Sequence, residues 1–573
     1  MEQDRSVDRA AQPIQGLPNH LLSYLLLAVS LVSLWVFRPV LANGFVHRDD
    51  HIYLAELARM GKFSFSSLRW MWTSVEPFYL QPIVWMTNLL DYQVWGLDPV
   101  GHHATSWLLH GVYVSLVGVL VWMLTGKAGG VRPRERLVMG AGIALVCGIH
   151  PLQVEAVAWL SARNSLLCSV WMLAALCAYV RAVGNAGQPK RGWWWTTVVL
   201  QAVALLTKPS ALNLPLVLLT VDFFPLRRHV DRGWWRLVRE KWLLLLLCAA
   251  ATVGAILAQR QLEGLSEYPL GARLLVATRG SVFYLWKLIW PAWLSPFYPL
   301  SSSVTLRSTE FLVPAMFCAV VTALSVWQWK RAPVLLAAWL GYGALLLPVS
   351  GLVQVGAQAV ADRYAYLAIV PVLLALGSGV LWIWRRGPAA VKVALCAGVT
   401  AWLVFLGLRT REQIVVWRND LSLWGQVLAD FPDDPLANYS AALALLEAGR
   451  LTEARTCAKR AVDNSDPRAP QLPMARATLG TVYLKTHQYN LAIGQLQQAI
   501  AADETLWAAR YNLACVYARL GRQSEAYAEL QQVIGARPEY AALAVRDGEL
   551  AQLRDDPVSG NRFRELIGKV NSP

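Results

Sequence analysis

Charge is scarce in this chain. Of 573 residues only 16% are Asp, Glu, Lys or Arg, against roughly a quarter in soluble domains, while 56% are hydrophobic and the mean hydropathy is +0.38. A wholly soluble protein is excluded, and a polytopic membrane protein is what remains; the 27 Trp residues agree, since indole favours the boundary of lipid and water. Paired cysteines are also lacking. Cys147, Cys168, Cys177, Cys248, Cys318, Cys396, Cys457 and Cys515 show no zinc or redox spacing and read as small buried hydrophobes. There is no basic stripe or tail either, despite a formal charge of +15. The basic residues lie in short loops between apolar runs, the positive-inside arrangement, which argues against a nucleic-acid face. The length exceeds what one core holds, so two or more domains are expected.

The first apolar run, His20 to Val40, is long enough to span a bilayer as a helix. Val40-Leu41-Ala42 faintly resembles a signal-peptidase site, but the run is longer than a signal core, so an uncleaved anchor is expected. A loop over 41–100 follows, too aromatic for disorder and too polar to span. Further apolar runs fall near 101–125, 137–150, 164–181, 193–207, 210–224 and 242–258. Arg132, Arg134 and Arg136, then Arg181, Lys190 and Arg191, then Arg227 to Lys241 mark alternate connections as cytoplasmic. The Asp49-Asp50 loop, the loop from His150 to Arg163 and the Lys208 turn therefore share the opposite face. Beyond 258 the alternation holds only if 273–290 lies in the interface or dips and returns, ended by Pro291, Pro296 and Pro299. Runs at 309–329, 333–349, 365–384 and 389–408 then bring the total to about eleven crossings, with the N-terminus inside and the C-terminus outside.

After Arg409 the composition becomes that of a soluble helical domain. Leu479-Gly480, Tyr483, Ala492, Ala499 and Glu504 align with Leu513-Ala514, Tyr517, Ala526, Val533 and Pro538 at a period of 34 residues, the tetratricopeptide spacing. A poorer copy, with Ala441-Ala442, Leu445, Ala454, Ala458, Ala461 and Pro467, precedes them. The expected organisation is a membrane domain over 1–408, a linker helix over 409–434, three tetratricopeptide repeats over 435–540, and capping helices with a tail over 541–573. Three repeats are about the minimum that can bury a shared core. They imply a groove for a protein or peptide and no chemistry of their own.

Chemistry is sought on the outward face. The first loop supplies Asp49, Asp50, Glu76, Asp91, His102 and His103, the second His150, Glu155 and Arg163, the next turn Lys208, and a last loop Gln354, Gln358, Asp362, Arg363, Tyr364 and Tyr366. Acids beside cations at one membrane face suit a phosphorylated lipid and a nucleophile. Arg and Lys can neutralise a phosphate leaving group, and a carboxylate can take the proton of an attacking hydroxyl. Each residue also admits a structural role. Asp49 or Asp50 can cap the helix that follows, Arg163 and Lys208 can snorkel to the interface, Asp362 and Arg363 can form an ion pair, and His102 and His103 can be interfacial or capping residues. Trp70, Trp72, Tyr79 and Trp85 fit core packing of the loop or the wall of a sugar or acceptor pocket. A divalent metal is compatible with the acid pair, but no ligand spacing indicates one, and no other cofactor is implied.

Gly44-Phe45-Val46 with Asp49-Asp50, the run from Gly96 to His103, His150-Pro151-Leu152 with Val154-Glu155 and Val157-Ala158-Trp159, Lys208-Pro209, and the run from Gly351 to Leu367 resemble the transmembrane and tetratricopeptide-repeat glycosyltransferases. These are relatives of the protein O-mannosyltransferases. The resemblance covers almost the whole chain. It implies an all-α protein, a polytopic membrane domain of the type C glycosyltransferase fold followed by a tetratricopeptide α-solenoid. It further implies a catalytic acid in the first outward loop, with Asp49 as general base and Asp50 second, and a sugar donor on a polyprenyl phosphate. Arg163, Lys208 and Arg363 would hold that phosphate, and His102, His103, Glu155, Asp362 and Tyr364 would line the acceptor or sugar pocket. Where relatives often read Glu-Arg-Lys-Asp, this chain has Ala162-Arg163-Asn164-Ser165.

The function expected is inverting transfer of a mannose-like sugar from a polyprenyl-phosphate donor to a Ser or Thr hydroxyl of an exported protein, presented by the repeats. A membrane scaffold whose repeats recruit a partner is the alternative; a transporter fits less well, because the charges gather at one face instead of lining a path. The expected location is a bacterial inner membrane, with active site and repeats in the periplasm and no nucleic-acid partner.

Overall fold

The computed structural model describes residues 19–75, 79–183, 190–259, 269–301, 304–352 and 358–571; Glu76 and Gln354, two of the candidates above, lie outside them. The chain divides into two units, Met1–Asn419 and Asp420–Pro573.

In the first unit, helix α1 (Asn19–Phe37) leads into three short helices of the outward loop, α2 (Asp50–Met60), α3 (Phe65–Thr73) and α4 (Pro82–Trp95). Then come α5 (Pro99–Lys127), α6 (Pro133–Ile149), α7 (Val154–Ala158), α8 (Arg163–Val183), α9 (Arg191–Leu205) and α10 (Leu214–Phe223). The remainder is α11 (Arg228–Arg232), α12 (Trp234–Glu240), α13 (Trp242–Gln259), α14 (Leu270–Ile289), α15 (Thr309–Trp327), α16 (Pro333–Leu346), α17 (Ala365–Arg386) and α18 (Ala389–Val416). Every apolar run of the sequence is one of these helices. Among the described residues six segments are long and apolar enough by themselves to cross a bilayer: His20–Ala42, Pro99–Lys127, Leu160–Val183, Thr309–Trp327, Asp362–Arg386 and Ala389–Val416. Pro133–Ile149 with Pro151–Ala158 is a seventh if a pair bent by 62° counts as one span, and Pro209–Phe223, Trp242–Gly254 and Pro333–Val349 are apolar but shorter. The protein is thus a multi-pass membrane protein of the all-α class.

Proline placement explains many of the starts. Pro82, Pro99, Pro133 and Pro333 sit in the first turns of α4, α5, α6 and α16, where the missing N–H has no helical partner to lose. Asp98 adds a side-chain cap on the N–H of Val100 at 3.0 Å. Polar side chains tie the helices together inside the bundle. His110 of α5 meets the hydroxyl of Tyr366 in α17 at 2.7 Å and donates to the carbonyl of Gly148 in α6 at 3.0 Å. Helix α14 carries Arg273, Arg279 and Lys287 and is not among the apolar spans. Arg273 donates to the carbonyl of Leu352 at 3.0 Å and Tyr284 to that of Ala361 at 3.1 Å, so α14 is held along the loop that precedes α17.

The basic loops meet at the other end. Arg385 pairs with Glu135 and donates to the carbonyl of Gly130 at 2.7 Å, and Phe223 stacks on Trp329 at 6.4 Å. The aromatic loop folds onto α8, with Tyr53, Leu57, Met71, Val84, Trp85 and Leu89 packed with Leu167 and Trp70 set edge-on to Trp85 at 5.1 Å. Trp70 and Trp85 therefore pack the loop core, whereas Trp72 is 47% exposed.

In the second unit, a helix over Asp420–Asp430 precedes three antiparallel pairs: Pro435–Glu447 with Leu451–Asp463, Leu472–Lys485 with Tyr489–Ala502, and Trp507–Arg519 with Gln523–Ala536. The small residues of the repeat are buried at the crossings, Ala454, Ala458, Ala492, Ala499, Ala514 and Ala526 among them. A Cβ on Gly480 would come within 2.6 Å of Leu496 Cγ, so that crossing needs glycine. Leu550, Leu553, Phe563 and Leu566, from the segment after the repeats, join the core of the last pair. The expected linker over 409–434 is two elements: α18 continues to Val416, and a new helix begins at Asp420.

Candidate functional site

Four loops of the first unit converge. The backbone after α1 is pinned to the end of α18, Asn43 donating to the carbonyl of Ile414 at 3.1 Å and Gly44 N–H to that of Arg418 at 2.9 Å. Proline at 151 breaks the helix after α6, and His150 Nδ1 accepts from the N–H of Leu152 at 3.2 Å, turning the chain toward Glu155 and Trp159. A two-stranded antiparallel pair, Tyr298–Pro299 with Gln358–Val360, carries the chain into Asp362, Arg363 and Tyr364.

The two adjacent acids have different surroundings. Asp50 is buried, and its carboxylate accepts from Val46 N–H at 3.2 Å, Ser161 N–H at 3.0 Å and Ser161 Oγ at 2.6 Å, tying the first loop to the second. Burial raises its pKa to about 6 against those hydrogen bonds. Asp49 stands at the N-cap of α2, yet its side chain makes no capping bond and accepts no hydrogen bond from the described residues. It is half-buried, and burial raises its pKa although Arg48 and Arg363 nearby favour the charged form.

Three cations face this region. Arg48 donates to the carbonyl of Pro296 at 2.6 Å and to Gln358 Oε1 at 2.7 Å, with its guanidinium 4.7 Å from the Trp159 ring centre. Arg363 pairs with buried Glu155 through its side chain, and its backbone N–H donates to Glu155 Oε2 at 2.8 Å. Its guanidinium lies 5.2 Å from the ring of Trp159 and 4.9 Å from that of Tyr364. Lys208 donates to Ser165 Oγ at 2.6 Å, with Nζ 6.0 Å from the Tyr364 ring. Burial and the charge of Arg363 lower its pKa to about 8. Here the departure at 162–165 has a consequence: the hydrogen-bond partner of Lys208 is a neutral hydroxyl. Asp362 is buried and accepts from Tyr298 OH at 3.0 Å, while Gln358 Nε2 donates to Tyr364 OH at 3.0 Å.

Arg163, His102 and His103 are held elsewhere. Arg163 is fully buried and its guanidinium is committed: to Asp91 at 2.6 Å, Asn88 at 2.8 Å, Ser106 at 3.2 Å and the carbonyl of His102 at 2.5 Å. His102 Nε2 donates to the carbonyl of Gly96 at 3.0 Å and His103 Nε2 to that of Gly44 at 3.2 Å, both rings buried. These side chains anchor the outward loop on α5 and α8. Arg48, Ser161 and Trp159 were given no part by sequence reasoning; a cation on an outward loop, against the charge rule, was the available signal for Arg48.

Arg48, Arg363 and Lys208 thus stand in the same loops as Asp49, Asp50, Glu155 and Asp362. Of these four acids, Asp49 is the one whose side chain accepts no hydrogen bond from the described residues. Among the described residues no three His, Cys, Asp or Glu side chains are grouped to hold a metal.

Comparison with known proteins bears on both units. Residues 421–471 and 478–541 match the tetratricopeptide repeat family. Across 65% of its length the chain is 26% identical to protein O-mannosyl-transferase TMTC4 of Homo sapiens, covering 56% of that protein. Across 60% of its length it is 22% identical to protein O-mannosyl-transferase Tmtc3 of Drosophila melanogaster, covering 44% of it. The chain spans about half the length of these curated relatives.

Proposed function

We propose, from the premise that the chain belongs to the transmembrane and tetratricopeptide-repeat family, that it is a membrane glycosyltransferase. It moves a mannose-like sugar from a polyprenyl phosphate to a Ser or Thr hydroxyl of an exported protein. The observation that carries this reading is the half-buried carboxylate of Asp49, which accepts no hydrogen bond from the described residues and stands near Arg48 and Arg363.

Asp49 takes the proton of the acceptor hydroxyl as its oxygen attacks the anomeric carbon. The bond from that carbon to the phosphate oxygen breaks in the same displacement, inverting the centre, and the phosphate leaves with the bonding pair. Arg363, Lys208 and Arg48 stabilise the charge that develops on it. Arg363 is oriented by Glu155 and by the Trp159 and Tyr364 rings, and Asp362 and Tyr364 border the sugar. Asp50 positions Asp49 by fixing the loop to Ser161. Arg163, His102 and His103 support the loop from behind. The repeats present the acceptor protein. An inner-membrane setting with the acids on the periplasmic side completes the proposal.

The test is transfer by the purified full chain from polyprenyl-phosphate mannose to a Ser/Thr peptide, with the product anomer read by NMR. An inverted product supports the reading; a retained anomer contradicts the single displacement. Partner binding without sugar release from any lipid donor would instead favour a scaffold.

A further inference from the structure

A cavity of about 750 Å3 lies in the first unit away from the acids. Leu176, Val221 and Leu381 help form its walls; they come from the later parts of α8, α10 and α17, whose beginnings carry or adjoin the residues described above. It is therefore at the opposite, basic end of the bundle. Its volume is within the range of roughly 300–1,000 Å3 usual for small-molecule sites. Arg227, Arg331, Arg385 and Arg386 also line it, and all four are exposed, so they form its mouth.

Charge at that mouth is unbalanced. No Asp or Glu is among the described residues of the lining. Arg385 is used by Glu135. Arg227, Arg331 and Arg386 make no ion pair with the described residues, and Arg386 rests over the Trp382 ring at 4.8 Å. A neutral hydrocarbon would fill the walls and leave three cations unanswered, while a free anion would answer the cations and leave the apolar space empty. An amphiphile does both.

We propose that this cavity binds a bilayer phospholipid with an anionic head group, its acyl chain among α8, α10, α16 and α17 and its phosphate on Arg331, Arg386 and Arg227. The site is independent of the proposed transfer reaction. The sugar donor's phosphate is assigned to Arg363, Lys208 and Arg48 at the other end of the bundle, so a second lipid is required here. Arginine suits the task because its planar donor fork matches phosphate oxygens, and each basic residue near an anionic lipid surface adds appreciably to attraction.

The test is native mass spectrometry of the purified full chain in detergent, with added phosphatidylglycerol, phosphatidylcholine, polyprenyl phosphate or inorganic phosphate. One variant removes charge, Arg331→Gln with Arg386→Gln; both side chains are exposed, so folding is unaffected. A second, Ala375→Phe, fills the cavity. The parent is expected to retain phosphatidylglycerol at least roughly tenfold better than phosphatidylcholine, the double Gln variant to lose that preference, and Ala375→Phe to lose retention of both. Equal retention of the two phospholipids by the parent, or an undiminished preference in the double Gln variant, overturns the proposal. Displacement of phosphatidylglycerol by inorganic phosphate overturns it in favour of a simple anion site. Displacement by equimolar polyprenyl phosphate overturns it in favour of the donor lipid.

Discussion

Replacing Asp50 by Asn should change how stability depends on pH, and the size of the change follows from the burial of this carboxyl. Its pKa stands at about 6, against 3.8 for an ordinary Asp. The folded protein thus holds this proton more tightly than the unfolded chain, and stability falls as pH rises from about 4 to about 6. Two pKa units correspond to about 3 kcal/mol, all of it lost by neutral pH. Asn does not titrate. Its amide oxygen can keep the bond from Ser161, while its NH2 group faces the donor N–H of Val46 and cannot bond it. The variant should therefore be the weaker protein near pH 4 and gain on the parent, by about 3 kcal/mol in total, up to pH 6. Thermal unfolding in detergent, followed by Trp fluorescence at pH 4, 5, 6 and 7, measures the difference between the two. Other groups titrate in both proteins and cancel when far from position 50. A difference that stays constant over this window would refute the buried-carboxyl account of Asp50.

Further outcomes follow from the same geometry. The kcat/KM for transfer should fall as pH rises through about 8, because Lys208 loses the charge that faces the donor phosphate, and Lys208→Arg should abolish that limb. Arg163→Ala should leave Asp91 buried and unpaired, costing about 3–5 kcal/mol; a loss of donor affinity at unchanged melting temperature would instead make Arg163 a phosphate ligand. Gly480→Ala should cost about 1–3 kcal/mol by overpacking against Leu496. In a double-mutant cycle, Leu496→Ala should return part of that loss, and strict additivity of the melting-temperature shifts would count against the close crossing.

Much of the fold was legible because its signals are local. Most apolar runs are long, Pro151 marks a real break, and the 34-residue period reads out as stacked helix pairs with small residues at the crossings. The same holds for gathering the candidates: the alternation of basic loops is a property of the chain read in order, and Asp49, Glu155, Lys208 and Arg363 do stand in adjoining loops. What a local reading could not supply was the pairing. Asp50 is answered by Ser161, Arg163 by Asp91 and Asn88, and Arg48 by Pro296 and Gln358. These partners are separated along the sequence by distances that no periodicity encodes. Two side chains with the same formal charge, Arg163 and Arg48, consequently exchange their apparent places, the first committed to the loop and the second facing Trp159 and Glu155. The Asp49-Asp50 pair could not be divided from sequence either, since both acids are polar neighbours at a helix start and only the fold gives one of them three hydrogen bonds.

That division is the central claim, and one rate tests it. The initial velocity of sugar transfer from polyprenyl-phosphate mannose to a Ser/Thr peptide should be compared for the parent and Asp49→Asn near neutral pH, with melting temperature recorded for both. Loss of a positioned general base predicts a fall of about 10²–10⁴-fold with the melting temperature essentially unchanged, because the Asp49 side chain makes no hydrogen bond with the described residues. Transfer by Asp49→Asn at the parental rate would contradict the account.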